Sequence, residues 1–284
     1  MSRRELERRP EFEQISPDVG ELDLDALEQA AAADPDTTLS LLAEMTAATD
    51  RDLARQALTI ARSLYLDLAR RAPARRRGVG TMRSLPYDPD RGDLDIDASL
   101  DVLATRRAGV DPSGLRVRGW VRPDTAWCLV VDRSGSMTGA PLATSAIAAA
   151  AVALRAPHEY SVLAFASDVQ VVKAHAATVD ADQVVADVLA LRGSGTTDVA
   201  AALREAAAQL AASRAGRRIT VLLSDCRANA PGDAVAAAAG LDELLVVAPA
   251  GDSAEAESFA ALTGARCVTV SGPSQIPSAL ADHT

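Results

Sequence analysis

Apolar residues follow two different patterns on either side of residue 124. Beyond it, short apolar runs alternate with alanine-rich stretches; the runs are AWCLVVD, EYSVLAFA, VQVVKA, RRITVLLSD, ELLVVAP and RCVTV. The stretches between and after them have the length of helices, at 140–155, 180–190, 198–212, 232–239, 253–263 and 274–282. Several runs are too apolar to have one solvated face, which is typical of strands covered on both sides. The pattern predicts a Rossmann-like, doubly wound α/β domain over residues 124–284 with a mostly parallel sheet. Only Ser167 and Asp168 separate the second and third runs, so one edge strand is expected to be antiparallel.

Helical spacing dominates the chain before this domain. Asp50 is placed to cap a helix, and apolar side chains recur every three or four residues at Leu24, Leu27, Ala31, Leu39, Leu42, Leu53, Ala57, Ile60, Leu64 and Leu68. This spacing predicts a small all-helical domain over residues 21–72. Residues 1–20 are charged and aperiodic, which predicts a segment that is disordered or docked on something else. Residues 73–123 are basic, then rich in Gly and Pro, then acidic, which indicates a flexible connector and lead-in. The alternative for this segment is a contact arm for an acidic partner, carried by Arg75, Arg76 and Arg77.

Charge and composition narrow the class of partner. The formal net charge is −10, which argues against nucleic acids and acidic membranes because both require a positive field. The cysteines at 128, 226 and 267 are too few and too widely spaced for a disulfide framework or a zinc site. The segment MSRRELERRPEFEQ lacks the apolar core of a signal peptide, and no run reaches the roughly 18 apolar residues of a membrane span. We therefore expect a cytoplasmic protein whose partners are proteins or cations.

Oxygen-bearing side chains follow two of the predicted strands. Asp132, Ser134 and Ser136 come directly after AWCLVV, and Asp225 ends RRITVLLSD. A glycine-rich loop, LRGSGTTDVAAAL, adds two neighbouring threonines at the start of a helix, Thr196 and Thr197. Because the carboxyl ends of parallel strands meet at one edge of a sheet, we expect these groups to lie together. Carboxylates and hydroxyls without imidazole or thiolate favour a hard cation, namely Mg²⁺, Mn²⁺ or Ca²⁺.

This arrangement resembles the von Willebrand factor A (VWA) domain and its metal-ion-dependent adhesion site, D-x-S-x-S followed by T and then D. The resemblance implies that Mg²⁺ is held by five residues, Asp132, Ser134, Ser136, Thr197 and Asp225, with Thr196 as the alternative threonine. In such domains the serine hydroxyls, and sometimes the threonine, bind the metal directly, and the acids commonly act through water. An Asp or Glu of the partner protein fills the remaining position.

Residues around this motif are candidates for partner contact and for departures from the family. Candidate contacts flank the metal ligands in sequence and are Arg133, Met137, Thr196, Arg227 and Asn229. For Met137 the other interpretation is packing under the loop at the start of the following helix. Family members often have Gly directly after the final acid, whereas this chain has Cys226. If the backbone there requires a positive φ, a cysteine costs energy.

The order of segments resembles one bacterial subgroup. A helical N-terminal part, an Arg-rich connector and a C-terminal DRSGSM domain are similar to the CoxE-like VWA proteins, which work with MoxR-type AAA+ ATPases. The resemblance implies a non-catalytic adaptor that selects a target for remodelling, activation or cofactor insertion by the ATPase.

Two other classes of function remain open. A metal-dependent hydrolase is disfavoured because Ser134 stands where a haloacid-dehalogenase-type phosphatase has its second Asp, and because no histidine is identifiable as a base for that serine. The only lysine, Lys173, is not in a phosphate-binding loop, so we expect no enzyme. A structural interaction module with an unused metal site is the other alternative, and metal titration would separate the three.

Overall fold

A computed structural model describes residues 1–71, 81–87, 93–104, 114–121, 124–135, 137–193 and 195–281. The described residues form two compact units. One combines those of Met1–Arg75 with those of Thr125–Thr284, and the other lies within Arg76–Asp124.

The chain begins with two single helical turns and three longer helices. Their bounds are α1 (Arg3–Leu6), α2 (Phe12–Ile15), α3 (Leu24–Ala33), α4 (Pro35–Met45) and α5 (Arg51–Arg71). Aspartates cap the three longer helices: Asp23 accepts from the amide of Ala26, and Asp34 accepts from that of Thr37. Asp50 Oδ1 accepts from the amide of Leu53 at 3.2 Å, which confirms the cap predicted for α5.

The second unit contains regular structure where the sequence indicated a connector. Its elements are β1 (Thr81–Pro86), β2 (Asp93–Leu94), α6 (Ile96–Ala104) and β3 (Arg116–Val121). The strands form an antiparallel sheet in the order β1-β3-β2. Arg116 reinforces the pairing, because its guanidinium donates to both the hydroxyl and the carbonyl of Ser84. The arginines at 75–77, proposed as a contact arm, lie outside the described residues.

The remaining elements form the predicted α/β domain. In chain order they are β4 (Thr125–Asp132), α7 (Ala140–Arg155), β5 (Tyr160–Phe165), β6 (Val169–Lys173), α8 (Ala181–Leu189), α9 (Val199–Ala211), β7 (Arg217–Leu223), α10 (Ala234–Ala238), β8 (Glu243–Pro249), α11 (Ala254–Thr263), β9 (Arg266–Val270) and α12 (Ile276–Ala281). The strand order is β6-β5-β4-β7-β8-β9. All neighbouring pairs are parallel except β5 and β6, so the antiparallel edge strand is also confirmed.

Both faces of this sheet are buried. Leu129 and Val131 of β4 belong to one apolar cluster, which also includes α7, α8 and α12. Cys128 and Val130 point to the other face, where they join α9, α10 and α11. Because successive side chains of a strand alternate between faces, a strand buried on both sides is apolar throughout, as the sequence of β4 is.

The N-terminal helices cover the α/β domain and do not form the separate helical domain predicted over residues 21–72. Helices α4 and α5 pack on α7, and the three helices share one apolar cluster. The composition of α7 explains this arrangement, because its buried residues run without a break from Ser145 to Ala153. A helix that is apolar on every side must be covered on every side. Here the sheet covers the inner face of α7, and α4 and α5 cover the outer face.

The first 20 residues are docked on the same helices. Leu6, Phe12 and Ile15 are fully buried in the apolar cluster that α4, α5 and α7 share. The ammonium group of Met1 donates to the carbonyl of Ala47 at 2.7 Å. Of the two possibilities that the sequence left open for this segment, docking is the one that the structure shows.

Candidate functional site

Asp132 occupies the carboxyl end of β4, next to the end of β7. The two strands are parallel, with Val131 opposite Leu223, so Asp132 and Ser224 leave the sheet side by side. The hydroxyl of Ser224 donates to Asp132 Oδ2 at 2.6 Å, and the amide of Ser134 donates to Asp132 Oδ1 at 2.8 Å. Both carboxylate oxygens therefore have a donor that fixes their position. We call this end of the sheet, where the carboxyl ends of β4 and β7 meet, the crest.

Ser224, which was not among the residues predicted from the sequence, connects the two acids of the motif. Besides donating to Asp132, its hydroxyl accepts from the amide of Cys226 at 2.9 Å, on the loop that carries Asp225. The side chain is 6% exposed, so its hydrogen bonds are shielded from water. The available sequence signal was the hydroxyl directly before the acid in LLSD, at the end of the strand beside β4.

The loop after β7 has a left-handed backbone at Cys226. Its φ is 61°, the region in which glycine has no penalty, so the cysteine costs about 1–2 kcal/mol of strain relative to glycine. The amide of Arg227 donates to Asp225 Oδ1 at 2.9 Å, which closes the turn around the acid. Burial raises the pKa of the Cys226 thiol to about 12, and the charges of Asp225 and Asp132 add to this. The thiol is therefore protonated at neutral pH and lies close to both acids of the motif.

Thr197 is tied to the loop that follows Asp225. Its amide donates to Asn229 Oδ1 at 2.6 Å, and the amide of Asn229 donates back to the carbonyl of Thr197 at 3.3 Å. Thr197 is buried, whereas Thr196 beside it is exposed. Asp198 then caps α9 by accepting from the amide of Ala201. These bonds fix Thr197 beside the second acid-bearing loop of the crest.

Gly193 brings the threonine loop against the crest loop, residues 132–139. A Cβ at Gly193 would overlap the carbonyl oxygen of Gly135 and lie 2.8 Å from the amide nitrogen of Met137. Only glycine permits so close a backbone approach. The structure thus brings Asp132, Ser134, Thr197 and Asp225 onto loops that contact one another. The fifth candidate ligand, Ser136, lies outside the described residues.

Two of the five predicted partner contacts are covered. Met137 is 3% exposed and belongs to the core. The side chain of Arg133 is 11% exposed and pairs with Asp168 at 2.5 Å, because the turn between β5 and β6 lies beside the crest loop. Met137 therefore packs under the loop, which is the alternative to partner contact, and the expectation that Arg133 is exposed is corrected.

The other three predicted contacts are accessible to a partner. Thr196, Arg227 and Asn229 are exposed. Arg227 is paired with two acids, Asp252 at 2.5 Å and Glu255 at 3.5 Å.

The donor groups of the crest fit a hard cation. Over the described ranges, no cluster of three or more His, Cys, Asp or Glu side chains has the geometry of a metal site. A cation at the crest would therefore depend on hydroxyl oxygens together with the two carboxylates, a set suited to Mg²⁺ and poor for zinc.

A separate polar cluster lies at the amino end of β5, at the end of the sheet opposite the crest. Glu159 Oε2 accepts the hydroxyl of Ser213 at 2.5 Å and lies 3.1 Å from His175 Nε2. The hydrogen bond from Ser213, and then the one to His175, lower the pKa of Glu159. His158 lines the same part of the surface. His158 and His175, the two histidines among the described residues, therefore lie at the end of the sheet opposite Ser134.

Solved structures that resemble this fold share little sequence with it. A variant of the PilB minor pilin from Streptococcus sanguinis is 14% identical, with 60% of this chain and 64% of the pilin covered and a TM-score of 0.47. An aerotolerance-related membrane protein from Bacteroides fragilis, with multiple mutations to serines, is 15% identical, with 56% and 100% covered and a TM-score of 0.46. BatB from Bacteroides thetaiotaomicron is 15% identical, with 56% and 96% covered and a TM-score of 0.46. This chain thus spans less than two thirds of the pilin's length, and no curated protein sequence matches it.

In the part of the chain that the structure describes, no helix has both the length and the apolar character that crossing a membrane requires.

The sequence itself matches one family over most of its length. The sequence profile of the VWA domain-containing CoxE-like proteins matches residues 67–261, which include all five residues of the motif. The resemblance seen in the sequence is confirmed: the chain belongs to the family of VWA domain-containing CoxE-like proteins.

Proposed function

We propose that this chain is a non-catalytic, metal-dependent adaptor that binds an Asp or Glu of a partner protein at the crest. The cation is Mg²⁺, although Mn²⁺ and Ca²⁺ accept the same oxygen ligands. It would be held by five residues, Asp132, Ser134, Ser136, Thr197 and Asp225. The observation that carries the proposal is the carboxylate of Asp132, oriented by Ser224 and by the amide of Ser134 beside the loop of Asp225.

The residues around the crest prepare it for an anionic group. When bound, Mg²⁺ supplies an open coordination position to an incoming carboxylate. Ser224 keeps Asp132 in place, and the paired amides of Thr197 and Asn229 hold the threonine loop beside the second acid. Arg133 is bound to Asp168, so its positive charge is partly balanced before a partner arrives. None of these steps makes or breaks a covalent bond.

Family membership supports the kind of partner. CoxE-like VWA proteins are associated with MoxR-type AAA+ ATPases, so we propose an ATPase of this type as one component and its target as the other, with all three in the cytoplasm. The adaptor then selects the target for remodelling, activation or cofactor insertion.

Affinity capture from the native cytoplasm tests the proposal. The baits are the wild type, Asp132→Ala, the pair Ser134→Ala/Ser136→Ala, and the control Asp25→Ala, whose side chain is exposed on α3. Each is used with Mg²⁺ and with EDTA, and recovered proteins are identified by mass spectrometry. We expect a partner that the wild type and the control recover only with Mg²⁺ and that the crest variants lose.

Circular dichroism and Mg²⁺ titration complete this experiment. The crest variants must keep the wild-type fold, because a loss of folding equal to the loss of capture would make the crest structural. A wild type that binds no Mg²⁺ yet recovers the same partners in EDTA would support an interaction module with an unused metal site. Metal-dependent turnover of a substrate would instead support the hydrolase alternative.

A further inference from the structure

Arg9 and Glu44, in the N-terminal part of the chain, form an ion pair beside Gly139, the last residue of the crest loop. Glu44, near the end of α4, is 5% exposed, and it receives two donors from the guanidinium of Arg9. Arg9 Nη2 lies 2.5 Å from Glu44 Oε1, and Arg9 Nε lies 3.3 Å from Glu44 Oε2. A bidentate pair of this kind fixes the orientation of both side chains.

The pair contacts Gly139, the residue that ends the crest loop and caps α7. A Cβ at Gly139 would lie 2.7 Å from Glu44 Oε1 and 3.8 Å from Arg9 Nη2. Gly139 has φ 59° and ψ −126°, a conformation that other residues rarely adopt. The carboxylate of Glu44 also lies at the N-terminus of α7, where the helix dipole favours a negative charge. The backbone at Gly139 therefore requires glycine, and the helix terminus beside it favours the charge of Glu44.

The two ends of the crest loop are held by different parts of the chain. At its beginning, Asp132 is fixed by Ser224 of the adjacent strand end. At its end, Gly139 lies against the carboxylate of Glu44 with no room for a side chain between them, and Glu44 is in turn held by Arg9 of the N-terminal segment. We infer that the Arg9–Glu44 ion pair is a positioning pair for the crest loop, through which the N-terminal segment controls the cation site. This inference rests on the proposed function only where it concerns the cation.

The N-terminal segment has the anchorage that such control requires. Phe12 and Ile15 are fully buried, and Met1 is hydrogen-bonded to Ala47 just beyond the end of α4. The side chain of Arg9 remains about half exposed, so a protein that binds this segment can reach it. Displacing the segment removes Arg9 from Glu44 and leaves a buried carboxylate without that donor against Gly139. The helical layer thus provides an input to the crest that does not touch the metal ligands.

Two measurements on the full chain test the inference with Arg9→Ala, Arg9→Lys and Glu44→Gln. The matched control is Asp52→Asn, which breaks an exposed ion pair with Arg55 in the same layer. The first measurement is amide hydrogen exchange over residues 137–143 in EDTA, which requires no metal. We expect exchange about fivefold faster in Arg9→Ala and Glu44→Gln than in the control. The second is calorimetric titration with Mg²⁺ alone, where we expect about tenfold weaker binding.

Arg9→Lys keeps the charge but not the two-donor geometry, so it should fall between the wild type and Arg9→Ala in both measurements. Exchange in Arg9→Ala and Glu44→Gln equal to that of the control would overturn the inference, whatever the titration shows. Faster exchange in a protein that binds no Mg²⁺ would support the positioning role and contradict the proposed function. If Glu44→Gln fails to fold, Arg9→Ala carries the test, because its side chain is half exposed.

Discussion

Replacing Ser224 with alanine removes the side chain that joins the two acid-bearing loops. The hydroxyl makes two hydrogen bonds, one to the carboxylate of Asp132 and one from the amide of Cys226. Alanine adds no bulk at this buried position, so the change is limited to these bonds. It leaves Asp132 without one of its two fixed donors and the amide of Cys226 without its acceptor.

The expected magnitude follows from the two bonds. A hydrogen bond to a charged group contributes about 1.5–3 kcal/mol to stability, and a neutral one contributes about 1 kcal/mol. We therefore expect Ser224→Ala to lower the free energy of unfolding by about 2–4 kcal/mol in EDTA. In a domain of this size, each kcal/mol lowers the melting temperature by roughly 2–4 °C. Mg²⁺ affinity should fall by about tenfold, because Ser224 orients a ligand without binding the metal itself.

Urea unfolding and Mg²⁺ titration measure these two effects. The control is Thr220→Val on the same strand, since the Thr220 hydroxyl is buried with no hydrogen-bond partner in the described chain. We expect Thr220→Val to unfold at the same or a slightly higher urea concentration. A Ser224→Ala protein as stable as this control, with unchanged Mg²⁺ affinity, would refute the assignment of Ser224 as the link between the acids.

Two further predictions concern backbone strain and acid stability. At Cys226 we expect the glycine variant to be about 1 kcal/mol more stable than the alanine variant in urea unfolding, because φ is positive there. The opposite order, typical of extended or helical positions, would show that this turn is not left-handed. The lowered pKa of Glu159 contributes stability that is complete above its ordinary value of 4.5 and is lost as the pH falls through the folded-state pKa. Glu159→Gln should therefore unfold at a lower temperature than the wild type near pH 7, and this difference should shrink as the pH falls below 4.5 and through the folded-state pKa of Glu159. If the difference in unfolding temperature between the two proteins stayed constant as the pH falls, the ionised Glu159 and its bond from Ser213 would not be its cause.

The sequence predicted the α/β domain well because its signals are local. Each strand from β4 onward coincides with an apolar run, and Ser167 and Asp168 were enough to identify the antiparallel edge. The acids of the crest were predictable for the same reason, since Asp132 ends β4 and Asp225 lies two residues beyond β7. The concern over Cys226 was also justified, because its φ is positive.

The N-terminal half was harder to predict because its partners are distant in sequence. Helical spacing located the apolar stripes of α4 and α5, but it does not show what those stripes cover. The sequence did contain one signal, because α7 has no polar face. Ile147 and its neighbouring alanines are buried on all sides. Glu44 was equally hidden, because its contact with Gly139 joins residues almost a hundred positions apart.

Partner contacts were the least predictable feature of the crest. Arg133 and Met137 flank the ligand positions in sequence and were both candidates for partner contact, Arg133 as the more exposed one and Met137 with packing under the loop as its alternative. Whether a side chain at a loop is exposed depends on what lies beside that loop, and here Asp168 and the core take these two side chains. Asn229 was a candidate only because it lies on the loop after Asp225, and its bonds to Thr197 were not predicted.

The burial of α7 between the sheet and α4 and α5 has a consequence for synthesis on the ribosome. The apolar stripes of α4 and α5 emerge first, but the helix that they cover ends roughly 80 residues after α5 does, a delay of about 4–16 s at ordinary rates of translation. During that interval these stripes are exposed in the nascent chain. Helices α4 and α5 can therefore bury these stripes only after the crest loop and α7 have been made, and until then a chaperone could bind them.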